Sequence, residues 1–251
     1  MPLIHEDDNM EKSQTKTVIQ EILSEKKYFS TQAVKRRLRK AMKTRLASTS
    51  VNQYLYNLKR QGQLFDAGRG WYSTVSQTSS LPMEPVQKLI TDIKKRFPFL
   101  EFSVWSTEQL KSLAHHIMSR FTIVLYTDTD SMPSVGEFLK DSGYKVFVNP
   151  KKDEVAKYFE PSANTVVIRQ SVSEEPTENS SATFEKLMVD LFLEKDRLNL
   201  MDGSEFVRIF RNLILSQRIN LARLLRYAYR RKVRKAIFDE VLREQDDIIL
   251  F

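Results

Sequence analysis

The sequence predicts an α/β chain, α+β overall. A basic helical head carries one β-hairpin, a central layer alternates strands with helices, and the tail is helical. Three observations predict this. Apolar residues recur at helical spacing up to residue 60 and again after residue 183. Between residues 99 and 170, short β-branched and aromatic runs alternate with amphipathic stretches, the order that builds a partly parallel sheet. The charge is uneven. The whole chain carries +8, but Glu11 to Thr74 hold 14 Lys and Arg against 4 Asp and Glu, a net of +10. Residues 1–10 carry −3, and everything beyond Thr74 about +1.

Residues 1–13 read as a flexible acidic tail, and residues 14–74 as the head. "TKTVIQEILSEKKYFS" places Val18, Ile19, Ile22 and Leu23 on one helical face. "FSTQAVKRRLRKAM" follows, with Ser30 or Thr31 as its cap and Ala33, Val34, Leu38 and Ala41 turned inward. "STSVNQYLYNLKRQG" predicts a third helix with Val51, Tyr54 or Leu55, and Leu58 inside and Gly62 at its end. "QLFDAGRGWYST" predicts two short strands joined by a tight turn at Ala67-Gly68-Arg69-Gly70, with Trp71 and Tyr72 packing the hairpin.

Residues 75–85 form a polar linker with two prolines. The α/β domain is expected over residues 86–178. Its strands are "FLEFSVWS", "FTIVLYTD", "YKVFVNP" and "NTVVIRQ". Its helices are "PVQKLITDIKKRFP", "STEQLKSLAHHIMSR" capped at Ser106 or Thr107, "SMPSVGEFLKDSG" and "PKKDEVAKYF". "SVSEEPTENSS" reads as a polar loop. Residues 179–251 are expected as a helical region packed on the α/β domain, ending in a helix over "NLARLLRYAYRRKVRKAIFDEVLRE".

Three helices with a hairpin after the third describe a winged helix-turn-helix, whose third helix enters the major groove while the hairpin lies over neighbouring phosphates. Ser48, Thr49 and Ser50 open that helix, where free N–H groups favour a phosphate. Asn52, Gln53, Tyr56, Asn57 and Arg60 are the candidate readers of base edges. Lys35, Arg36, Arg39, Lys40, Lys43 and Arg45 would hold the backbone, and Arg69 a phosphate or a narrow minor groove. Residues Arg218 to Lys235 hold eight basic residues and no acid. There Arg223, Arg226, Arg230 and Arg234 recur at spacings of three and four, with Arg231 beside them. This face is a candidate second surface for nucleic acid or an acidic partner. Opposite it, Leu221, Leu224, Leu225, Ala228 and Tyr229 form the packed side.

With no cysteine, disulfides, thiolate metal sites and cysteine nucleophiles are excluded. His5, His115 and His116 read as structural or surface residues. No metal or cofactor is expected. No signal peptide and no membrane-length apolar run is visible, so a cytoplasmic location is expected. Asp128 and Asp130 follow a buried strand and, with Lys145, are the residues a nuclease or nucleotidyl-transfer reading would use. No phosphate loop, nucleophile elbow or zinc-helix motif accompanies them. A nucleic-acid-processing enzyme with a winged targeting domain, or a protein-docking module, remains the alternative.

Several longer stretches carry a resemblance: "VWSTEQLKSLAHH", "FTIVLYTDTDSMPSVGEFLKDSGYKVFVNP", "FEKLMVDLFLEK" and "INLARLLRYAYRRK". Behind a basic winged-helix head, this order resembles the abortive-infection antitoxin family of bacterial type IV toxin–antitoxin systems, from about Lys16 to Leu242. The markers are Glu185, Lys186 and Asp190 in one stretch and Asn220, Leu224, Tyr227 and Ala228 in the other. The resemblance implies a transcriptional autorepressor rather than an enzyme. It also implies a C-terminal region needed for antitoxin activity, and a nucleotidyltransferase toxin opposed without a stable complex. The expected partner is operator DNA, in the form of an inverted repeat if two copies bind.

Overall fold

In the computed structural model, residues 3–42, 48–113, 121–162 and 164–251 are described, with backbone alone for 3–12, 42 and 48–50. Helix α1 spans Leu3–Glu25. It takes in residues expected as a flexible tail, because no Gly or Pro interrupts the chain between Leu3 and Glu25. Strand β1 (Tyr28–Ser30) follows where the sequence suggested the end of that helix. Both Tyr28 and Phe29 are fully buried, so tertiary packing overrides the local pattern. Helix α2 spans Thr31–Met42, and the Ser30 hydroxyl caps it by accepting from Ala33 N–H at 3.0 Å. Ala41, expected inside, is exposed.

Helix α3 spans Ser48–Arg60 and buries Val51, Leu55 and Leu58 against Ile19, Ile22, Phe29, Val34 and Leu38. It ends as its glycine predicts. Gly62 sits at φ +70°, its N–H bonds Lys59 O at 3.1 Å, and Gln63 N–H bonds Leu58 O at 3.0 Å. Strands β2 (Phe65–Asp66) and β3 (Trp71–Ser73) pair antiparallel across the expected turn. The Tyr72 ring stacks on Phe29 with centroids 6.1 Å apart.

The second unit begins near Ser79 with α4 (Glu84–Arg96) and β4 (Phe102–Ser106). After β4 a 3-10 turn, Thr107–Leu110, replaces the start of the expected helix; it is closed by Ser106 and Gln109. Then come β5 (Ile123–Thr127), α5 (Met132–Asp141), β6 (Lys145–Val148), α6 (Lys152–Tyr158) and β7 (Thr165–Gln170). The stretch expected as a polar loop contains β8 (Thr177–Glu178) and leads into β9 (Ser181–Ala182). The six strands lie in the order β6-β7-β5-β4-β9-β8. Strands β6, β7 and β5 are parallel, β4 runs antiparallel to β5, and β9 runs parallel to β4.

One sheet face packs Val104, Ile123, Leu125, Val166 and Ile168 against α4 and α5. By the two-residue period of strands, Ser103, Tyr126 and Arg169 face the other way, toward helix α7 (Phe184–Arg197).

The tail continues with α8 (Gly203–Ser216), α9 (Leu221–Arg230), α10 (Arg234–Ile237) and β10 (Ile249–Leu250). The long last helix suggested by the sequence breaks after Arg230. Lys232 adopts φ +60°, its N–H bonds Tyr229 O at 3.0 Å, and Val233 N–H bonds Ala228 O at 2.9 Å. The tail also does not belong to one unit. Among the described residues, Ile214–Ala222 and Phe238–Phe251 join the unit formed by residues up to Thr78, and Arg223–Ile237 stay with the α/β unit. This corrects the expected assignment of residues 179–251 to the α/β domain. The physical reason is an open strand edge: β10 pairs parallel with β1, giving a four-stranded sheet β10-β1-β3-β2.

Candidate functional site

In the first unit, α3 divides cleanly by burial. Val51, Leu55 and Leu58 lie in the core, while Asn52, Gln53, Tyr56, Asn57, Lys59 and Arg60 are exposed. Spacing alone produces this, since one apolar stripe at i, i+4 and i+7 leaves the opposite face polar. Gln53 Nε2 donates to Asn57 Oδ1 at 3.2 Å, so two amides one turn apart are already aligned. Tyr56 is 54% exposed and offers a ring and a hydroxyl. Lys59 ties to Asp66 at 3.0 Å. The side chains of Ser48, Thr49 and Ser50, and all of Lys43 and Arg45, lie outside the described residues.

Helix α2 keeps Arg39 and Lys40 exposed, and Arg69 is exposed at the hairpin turn. Two expected backbone-holding residues are engaged elsewhere. Lys35 is half-buried and already has a partner in the fold. Arg36 donates from Nη2 to the Phe251 carbonyl at 2.7 Å. Arg37 bonds Glu25 at 2.9 Å, and this hydrogen bond and the nearby charge pull the Glu25 carboxyl below its ordinary range.

The two glycines beside Arg69 are called for by different surroundings. A Cβ on Gly68 would meet Asn220 Oδ1 at 2.1 Å and Ala222 Cβ at 2.6 Å, so the close approach made there is by the chain's own later segment. Nothing lies within 4 Å of a Cβ on Gly70; its φ of +76° is what calls for glycine.

A buried polar centre lies in the second unit. Lys186, Asp190 and Glu194 sit at i, i+4 and i+8 on α7, one stripe facing the sheet. All three are fully buried. Lys186 Nζ donates to Asp190 Oδ2 at 2.7 Å and to the Tyr227 hydroxyl at 2.9 Å, and pairs with Glu175 Oε2 at 3.0 Å. The same ammonium lies 3.9 Å from the Tyr126 ring centroid. Tyr227 donates to Asp190 Oδ1 at 2.8 Å, and Arg231 Nε approaches that oxygen at 3.4 Å. Ser103 donates to Glu175 at 2.6 Å. Further along α7, Arg169 bonds Glu194 through Nε and Nη2 at 3.1 and 2.7 Å, and through Nη1 the Pro150 carbonyl at 3.1 Å.

Charges balance in the Lys186 group: two cations face two carboxylates, the condition under which buried ions are tolerated. Burial raises the Asp190 carboxyl against the pull of Lys186 and Arg231. Burial and the Asp190 charge push the Tyr227 phenol well up, and burial and the Asp190 and Glu194 charges do the same to Tyr126. Burial, the largest influence on Arg231, would lower it, but Asp190 together with Tyr126, Tyr227 and Glu175 more than offsets this. The resemblance markers Lys186, Asp190 and Tyr227 therefore meet in one network. Sequence reading missed Glu175, Tyr126, Arg169 and Glu194. For Glu194 the available signal was its four-residue spacing from Asp190 and Lys186 on α7.

The α9 arginines part company. Arg223 and Arg226 are exposed. Arg230 is clamped to Ser173 at 2.8 Å and pairs with Glu174, Arg231 is largely buried, and Arg234 sits on a different helix. Tyr229, expected on the packed side, is 69% exposed. An open cleft of about 330 Å³ lies between Glu174–Glu178 and the Arg223, Arg226, Tyr227 and Arg230 side of α9. Asp128 accepts from Ser131 N–H at 2.9 Å just ahead of α5, and its hydrogen bonds with Ser131 lower its pKa. Lys145 sits on edge strand β6, separated from β5 by β7, and pairs with Glu160 at 3.8 Å. The three candidate residues of a nuclease-type site are thus not brought together.

Among the described residues no helix is long and apolar enough to cross a membrane, and no group of three or more His, Asp or Glu is placed to hold a metal ion. A family described as a family of unknown function (DUF6577) matches residues 50–246, which takes in most of α3, the hairpin and the α/β unit. No curated protein matches the chain.

Proposed function

The chain belongs to the family of unknown function DUF6577, and we propose that it is a sequence-specific double-stranded-DNA-binding protein. In this reading its first unit is a winged helix-turn-helix. The protein represses its own operon in the bacterial cytoplasm and is the antitoxin of a type IV toxin–antitoxin pair. The observation that carries the proposal is the outer face of α3. Asn52, Gln53, Tyr56, Asn57 and Arg60 form an exposed, hydrogen-bonding surface on a helix whose other face is core. The order helix, strand, helix, helix, hairpin supports that reading.

Amide side chains suit adenine edges, and Arg60 suits guanine or phosphate. Arg39, Lys40 and Arg69 supply phosphate contacts around the helix, and their neutralisation of phosphates supplies much of the affinity. Sequence choice comes from α3. Binding across a promoter excludes polymerase, and an inverted repeat would seat two copies. The antitoxin role rests on the resemblance of the α/β and tail stretches, with a nucleotidyltransferase as the toxin it opposes.

The test is fluorescence anisotropy of the full chain with the duplex upstream of its own reading frame and a scrambled duplex, at several salt concentrations. We expect preference for the natural duplex. Asn57→Ala should reduce that preference by about 1–3 kcal/mol. Arg69→Ala should weaken both duplexes alike and reduce the salt slope by about 0.9. Equal affinity for both duplexes, with neither substitution altering it, would refute the reading. Co-expression with a neighbouring nucleotidyltransferase tests the antitoxin part, with restored growth as the expected result.

A further inference from the structure

On the second unit, one exposed aromatic ring and four basic side chains close to it in sequence have no partner among the described residues. From Arg218 to Phe238 the chain has no acidic residue. Within its α/β-unit part, Arg226, Tyr229, Lys232, Arg234 and Lys235 are all exposed. Among the described residues none of these five side chains has a hydrogen-bond, ion-pair or ring partner. Tyr229 is 69% exposed, and Arg226 and Lys232 lie three residues before and after it. The backbone holds the arrangement: Lys232 N–H bonds Tyr229 O at 3.0 Å, and the positive φ of Lys232 turns the chain into α10. Of the acids that line the cleft beside Arg226, Glu174 pairs with Arg230 and Glu175 with Lys186, while Glu178 is exposed.

We propose that this surface, Tyr229 with Arg226, Lys232, Arg234 and Lys235, binds a single-stranded polynucleotide. The chemistry favours that occupant over an acidic protein. Carboxylates of a protein partner would satisfy the cations but leave a flat ring with no planar group to face. A single strand offers both phosphates and unpaired bases, and a base stacks on tyrosine whatever its identity. A duplex hides those faces, so the surface selects single strands. This function is separate from duplex reading by α3.

The experiment measures anisotropy of labelled oligouridylate and oligothymidylate, each about 12 nucleotides long, on the full chain. A fully paired duplex and a polyglutamate competitor complete the set. Both single strands should bind. Tyr229→Leu keeps an apolar side chain and removes the ring, and should weaken binding about tenfold. The Arg226→Ala/Lys232→Ala pair should lower the single-strand salt slope by about 1.4, at about 0.7 per phosphate contact. Asn57→Ala and Arg69→Ala should leave single-strand binding unchanged, so loss of operator binding and loss of single-strand binding read out separately. Preference for the RNA or the DNA oligomer identifies the source and supports the inference either way. Wild-type affinity in Tyr229→Leu, equal binding of single strand and duplex, or displacement by polyglutamate as effective as by oligonucleotide would each overturn it.

Discussion

Lys186 is fully buried and has four partners: Asp190, Glu175, the Tyr227 hydroxyl and the Tyr126 ring. A buried ammonium costs several kcal/mol to desolvate, and here two carboxylates offset it. Removing it alone leaves those carboxylates buried and unanswered. Lys186→Met should therefore destabilise the chain by about 3–5 kcal/mol in urea unfolding, and adding Asp190→Leu should recover part of the loss. A double variant less stable than the single one would show that Asp190 has adequate partners without Lys186. Asp128 gives a smaller, pH-dependent effect. Its hydrogen bond from Ser131 depresses the folded-state pKa, so its stabilisation is present above the unfolded pKa and disappears as pH falls through the folded one. Asp128→Ala should lower stability at neutral pH by about 0.5 kcal/mol, the low end for an exposed hydrogen bond. Wild type and variant should converge in acid.

At the scale of elements, the hairpin and α3 show what local pattern can and cannot determine. The stripe Val51, Leu55, Leu58 and the stop at Gly62 are readable because helix period and positive φ are local properties. The turn glycines are readable as a turn, but their separate reasons are not. Gly68 sits at φ +102° against Asn220 and Ala222, more than 150 residues later in the chain, whereas Gly70 faces open space. Gly68→Ala should thus cost at least about 2 kcal/mol, from backbone strain plus overlap. Gly70→Ala should cost about 1 kcal/mol, from backbone strain alone. Equal costs in thermal or urea unfolding would mean that the 220–222 segment yields. The α9 stripe was misjudged for a related reason. Spacing places four arginines along one surface, but the choice of αL at Lys232 and the ion pair to Glu174 are long-range outcomes.

Across the whole molecule, the first unit is completed by residues from the far end of the sequence. Lys27 and Tyr28 N–H both donate to Ile248 O, at 2.8 and 3.1 Å, and Lys26 Nζ bonds Asp246 O at 2.6 Å. Trp71 and Phe238 each pack edge-on against Phe251. Deleting residues 246–251 should therefore speed hydrogen exchange at Lys27 and Tyr28 while the sheet of the second unit keeps its protection. Unchanged exchange at those two amides would show that the closing strand is dispensable.

The sequence by itself determined the mixed α/β class, the basic head with its polar outer helix face, and the order of strands and helices from β5 to β7. These follow from local period, propensity and charge, which act within one or two turns of chain. Only the tertiary structure decided that β10 closes the first sheet, that Arg36 is taken up by the Phe251 carbonyl, and that Lys186, Asp190, Glu175 and Tyr227 share one buried network. Strand edges and buried charges seek any partner that satisfies them, however distant in sequence, and no window of neighbouring residues holds that information.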